Sequence, residues 1–101
     1  MENRIKFHNK LKEITGIDNV YFQPPENIKI KYPAIIYSLT DINKRFANDD
    51  VYNMYKYYQV IIIDNNPDSE LIDKIASIKE SKYIRSYVAN NLNHTIFEIY
   101  F

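Results

Sequence analysis

Apolar residues recur along this chain at two different spacings, and the change from one to the other marks its elements. Between residues 2 and 14, Phe7, Leu11 and Ile14 fall at helical intervals. Ile5 and His8 lie at the margins of that stripe, and Lys6, Lys10 and Lys12 take the polar side. The pattern predicts a short amphipathic helix. Gly16, the only glycine, follows at once and is the expected C-terminal stop. Val20, Tyr21 and Phe22 form a brief extended run closed by Pro24 and Pro25. Their fixed φ and missing amides read as a rigid turn, favoured over a peptide-recognition motif. Residues 27–32 read as an arm or edge segment, with Ile28, Ile30 and Tyr32 sharing one side when extended.

From residue 34 the period becomes two. Ile35, Tyr37 and Leu39 point one way and Ala34, Ile36 and Ser38 the other, predicting a strand over 34–40. Residues 41–53 hold only isolated apolar positions, Ile42, Phe46 and Val51, and predict a long hairpin connection. A second strand is expected over 54–64, where Tyr55 and Tyr57 lead into Val60, Ile61, Ile62 and Ile63. That continuous apolar end implies burial on both faces. Asn66 is the expected helix cap, with Pro67 at the first helical position and Asp68 and Glu70 in the first turn. The stripe Leu71, Ile72, Ile75, Ile78 carries this helix to residues 79–82. Strands over 83–89 and 95–101 follow, joined through residues 90–94, where asparagines accept positive φ. Phe97, Ile99 and Phe101 share one face of the last strand, and Ile96, Glu98 and Tyr100 the other. The whole predicts an α+β fold in one domain, 1–101, with a single mixed or antiparallel sheet of about four strands packed with two helices.

Composition narrows the function. The chain has 101 residues, 46% of them apolar, which suits one domain with a real core. Its 13 Lys plus Arg balance 13 Asp plus Glu, so general attraction to nucleic acid or an anionic membrane is not expected. The run from Val60 to Ile63 is too short to span a bilayer. Arg4, Lys6, Lys10, Lys12 and Glu13 interrupt every early apolar run, so no signal peptide is expected. Without cysteine there is no disulfide framework, thiol nucleophile or cysteine metal cluster.

Candidate chemistry is sparse. Asp49 and Asp50 are adjacent, Asp64 ends an apolar strand, and Asp68 and Asp73 lie near or on the second helix. Asp64 has the position of a metal ligand or general base, but Asp64, Asn65 and Asn66 serve equally as turn and cap residues, the reading adopted. His8 and His94 sit on unrelated elements without metal-ligand spacing, and no nucleophile-elbow sequence occurs. No catalytic residue, cofactor or metal is therefore expected. Residues 53–58 and 83–87 interleave tyrosine with Lys56 and Arg85, the composition of a nucleic-acid surface that stacks bases and holds phosphates. The ten tyrosines and five phenylalanines fit a protein interface better. A tyrosine buries a broad ring while its hydroxyl keeps a partner. Contact candidates are Tyr52, Tyr55, Tyr57, Tyr58, Tyr83, Arg85 and Tyr87.

Four stretches then stand out together: residues 19–25 (NVYFQPP), 31–37 (KYPAIIY), 63–69 (IDNNPDS) and 89–94 (ANNLNH). In that order they resemble small tail proteins of phages and prophages of low-GC Gram-positive bacteria, in the tail-completion or tail-terminator group, over nearly the whole chain. The resemblance implies a small α/β subunit that forms a ring at the head-proximal end of the virion tail, made in the host cytoplasm. Such a ring ends tube polymerisation and offers the filled head a joining surface. Its implied partners are further copies of itself, the tail tube protein and a head-completion protein, with DNA passing through the ring and no membrane. The connection over 41–53, with Lys44, Arg45, Phe46, Asp49 and Asp50, is the segment expected to reach a neighbour or line the channel. The segment with Ile28, Ile30 and Tyr32 is a second contact candidate. A nucleic-acid-binding module using Lys56 and Arg85 is the alternative reading, and a small hydrolase using Asp64 and His94 the third.

Overall fold

The N-terminal stripe forms helix α1 over Glu2–Thr15. Gly16 ends it in the left-handed region at φ 74°, its amide donating to the Lys12 carbonyl at 2.8 Å. The computed structural model describes residues 2–25, 27–47 and 50–101. After α1 come strands β1 (Val20–Phe22), β2 (Ala34–Ala47) and β3 (Asp50–Asp64), helix α2 (Glu70–Ala76), and strands β4 (Ser81–Ala89) and β5 (Leu92–Tyr100). The sheet has five strands in the order β1-β2-β3-β5-β4. It is mixed because β1 runs parallel to β2, whereas the other three pairs are antiparallel.

Both helices lie on one face of this sheet. Phe7 and Leu11 from α1 and Leu71 and Ile75 from α2 meet Ile35, Tyr37, Tyr58, Val60, Ile62, Phe97 and Ile99 in a single core. The period of two therefore holds where it was clearest, in Ile35 and Tyr37, in Val60 and Ile62, and in Phe97 and Ile99. Aromatic rings supply the centre. Phe7 stacks on Tyr58 at 4.6 Å between centroids and meets Tyr37 edge-on at 5.4 Å, while Phe22 closes on Tyr37 at 5.1 Å. Phe101 packs against Phe7 from the end of β5.

Three local expectations change. Ser69, not Asn66, caps α2: its Oγ accepts the Leu71 amide at 3.3 Å. Asn66 and Asp64 instead build the preceding turn, Asp64 Oδ1 accepting the Asn66 amide and Asn66 Oδ1 the Asp68 amide. The helix stops at Ala76 rather than near 79–82, since Ile78 reaches the core from the turn that follows it. The hairpin loop is also shorter than 90–94: Ala89 pairs with Leu92, leaving Asn90 and Asn91 at φ 53° and 63° as a tight turn whose twist matches the strands.

The largest correction concerns residues 41–53. They form no open loop: β2 continues to Ala47 and β3 starts at Asp50, with paired positions from Asp41 opposite Tyr57 out to Ala47 opposite Asp50. Strand β5 ends beside Tyr57. Lys56 still exchanges backbone hydrogen bonds with Phe101, its carbonyl accepting the Phe101 amide at 2.9 Å. Five further pairs, from Asn43 with Tyr55 to Ala47 with Asp50, thus project past the sheet as a two-stranded arm, roughly 17 Å long at about 3.3 Å per residue. The arm stretches the molecule to 52 × 27 × 23 Å, with a Cα radius of gyration of 14.7 Å against about 13 Å for a compact chain of this length. Its accessible surface is 6999 Å², where a compact protein of this mass exposes about 6,000 Å².

Candidate functional site

The candidate residues fall into three places. Tyr58 belongs to none of them. It is 2% exposed in the core beneath α1, so its ring is not a surface contact. It shares the period of Val60 and Ile62 and so faces the helices with them. Tyr57, one residue earlier, faces away. It pairs with Tyr100, and with Tyr55 the three rings form a cluster at the root of the arm, with Tyr100 5.8 Å from Tyr55 and 5.9 Å from Tyr57. Asn43, opposite Tyr55, lines the same hollow. Lys44 is exposed on the arm. Arg45, Phe46, Asp50 and Tyr52 lie in the arm strands, but their side chains are outside the description, and Asp49 is outside the described residues altogether.

The second place is β4, the edge strand beyond β5. Its seven central residues are all exposed. A bulge at Ile84 divides it. Before the bulge Tyr83 lies beside Phe97 on the helix side; after it Arg85 pairs with Ile96 and Tyr87 with His94 on the uncovered side. Tyr83, Arg85 and Tyr87 are therefore not one patch. The Tyr87 ring stacks on His94 at 4.7 Å, nearly parallel, and the Arg85 guanidinium lies over the same ring at 5.4 Å. Tyr83 donates its hydroxyl to Ser86 at 2.9 Å. The third place, residues 27–32, has exposed Ile28 and Tyr32 and half-buried Ile30, but no strand among the described residues.

The groups with possible reactivity are kept apart. Asp64 serves the turn before α2. His94 lies against Tyr87 on the uncovered face, its Nδ1 3.1 Å from the Leu92 carbonyl. His8 is on the opposite side of the sheet, its Nδ1 2.6 Å from the Tyr37 hydroxyl. Among the described residues, no three of His, Asp and Glu gather as metal ligands do.

The His8 contact is polar chemistry inside the α1–sheet joint. Burial, followed by the positive charges of Lys12 and Arg4, pushes the His8 pKa below its usual 6.5. With the ring neutral, Arg4 donates to the Tyr37 oxygen at 3.4 Å and that hydroxyl donates on to His8. Burial also raises the Tyr37 pKa, so the hydroxyl keeps its proton. Because folded His8 binds a proton less readily than unfolded His8, its contribution to stability is complete above about pH 6.5 and falls as pH drops through the folded pKa. Urea midpoints should therefore fall between pH 7.5 and 5.5. His8→Gln should flatten that slope, and an unchanged slope would place its source elsewhere.

The chain matches no protein-family model, and no curated protein matches its sequence.

Proposed function

We propose that this chain is a structural tail-terminator subunit that works by self-association, capping the tail tube and presenting the head-joining surface, without covalent chemistry. The observation that carries this reading is the arm. A two-stranded ribbon standing free in water is marginal at best, yet this one is five residue pairs long and rooted in a tyrosine cluster. Such an element gains its support from a neighbour. The surplus of about 1,000 Å² over a compact protein of this mass is close to the roughly 800 Å² that each partner contributes to a stable protein interface. The likeness to tail-completion proteins supplies the identity of the assembly, and a heterologous contact that closes by rotation supplies the ring.

The test combines light scattering with electron microscopy, with and without a tail tube protein. The expected outcome is a closed ring of subunits, and tubes that stop growing when the ring is added during polymerisation. A chain that stays monomeric in both conditions, or that leaves tube length unchanged, overturns the reading.

A further inference from the structure

The two long edges of the sheet are treated differently. Strand β1 covers β2 only from Ile35 to Tyr37. Just beyond it, side chains take the β2 amides: Gln23 Oε1 accepts the Leu39 amide at 3.1 Å, and Asp41 Oδ1 the Ile42 amide at 2.8 Å. This is how natural sheets blunt an edge that is to stay unpaired. Beyond Ile42 the rest of β2 runs out along the arm.

Strand β4 lacks that protection. Among the described residues no strand lies on its outer side and no side chain takes its amides. Its sequence has no proline, and Tyr83, Ile84 and Val88 are 54%, 45% and 68% exposed. Only Lys82, Arg85 and the bulge oppose pairing. A nine-residue edge of this composition is a template for strand addition.

We propose that the β4 edge receives the distal β2 segment of a second copy, Asn43–Ala47, so that the sheet continues from one subunit into the next. Strand direction favours this occupant. In the order β2-β3-β5-β4 each neighbour is antiparallel, so β4 runs opposite to β2. A second copy in the same orientation then meets β4 with β2 as an antiparallel pair, whereas β3 would meet it as a parallel one. The two surfaces belong to opposite edges of one subunit, so the contact is heterologous and repeats until it closes. The inference rests on the ring reading and names its joint. The unsupported arm and the open edge each supply what the other lacks.

The absence of cysteine allows a direct test. Lys44→Cys on the arm and Val88→Cys on β4, both at exposed positions, are prepared separately, mixed, and treated with a short bismaleimide. The expected result is a cross-linked pair holding one of each variant, with little product from either alone. Val88→Lys, which keeps the native circular dichroism because the side chain is exposed, should weaken self-association about tenfold or more. Val88→Cys linking to itself, with no mixed product, overturns the proposal in favour of a two-fold β4 pair. Oligomers that form without mixed product and ignore Val88→Lys overturn it in favour of another surface. The ring reading fails separately: mixed cross-links in an oligomer that does not cap tubes would keep the joint and remove the terminator role.

Discussion

Replacing Phe7 with alanine should cost about 3–5 kcal/mol, the range for removing a fully buried phenylalanine, measured as the shift in urea unfolding free energy at pH 7.5. Phe7 is 1% exposed and touches Tyr37, Tyr58 and Phe101, so its ring is the main tie between α1 and the sheet. The cavity would open among aromatic rings held from several strands, which cannot collapse into it without leaving their own rotamers. For a domain whose total stability is about 5–15 kcal/mol, that is a large fraction. Ile5→Ala, two residues away on an exposed position, is the control and should change stability by less than about 0.5 kcal/mol. Equal effects from the two would mean that α1 is not anchored through Phe7.

The second large effect concerns assembly rather than stability. Ile42 and Lys56 face each other at the root of the arm, so residues 43–55 can be replaced by Asn-Gly, which supplies the positive φ angles of a two-residue turn. The shortened chain keeps the core among the described residues, because every one of those core residues lies outside the removed segment. It loses the Tyr55–Tyr100 ring contact, worth about 0.5–1.5 kcal/mol. It should fold, elute as a monomer by light scattering, and fail to limit tube growth. A shortened chain that still forms rings would show that the arm is dispensable for self-association.

The parts of the fold read correctly from sequence are those where burial imposes a period. Phe7 and Leu11, Ile35 and Tyr37, and Phe97 and Ile99 each face the core at their element's own spacing. The arm has no core to face, so its strands carry no alternation, and residues 41–53 read as a loop although their backbone is paired. Burial also decides the fate of the tyrosines. Tyr57 and Tyr58 are chemically identical neighbours, and only the phase shared with Val60 and Ile62 distinguishes the core ring from the outward one. That signal was present in the sequence. The unpaired outer edge of β4 was not: Tyr83 and Tyr87 read as contact residues, but Ile84 and Val88 have the composition of a buried strand, and only the strand order shows that no further strand lies beyond them among the described residues. Ser69 gives no separate cap signal in the sequence, because Asn66 and Pro67 form a turn with the same residue types that begin a helix.

The single extra residue at Ile84 acts as a parity switch. Tyr83 and Tyr87, four apart, would point the same way in an uninterrupted strand, yet here one joins Phe97 and the other His94. Deleting Ile84 would therefore leave every other side chain of the strand where it is: Tyr83 opposite Phe97 and Arg85 opposite Ile96 are already consecutive pairs, so the ladder would close over the gap with Arg85 and Tyr87 still on the bare face. What would go is the local bend that the extra residue puts into the edge. A protein with this edge can gain or lose that kink through one codon without exchanging what its two sides display.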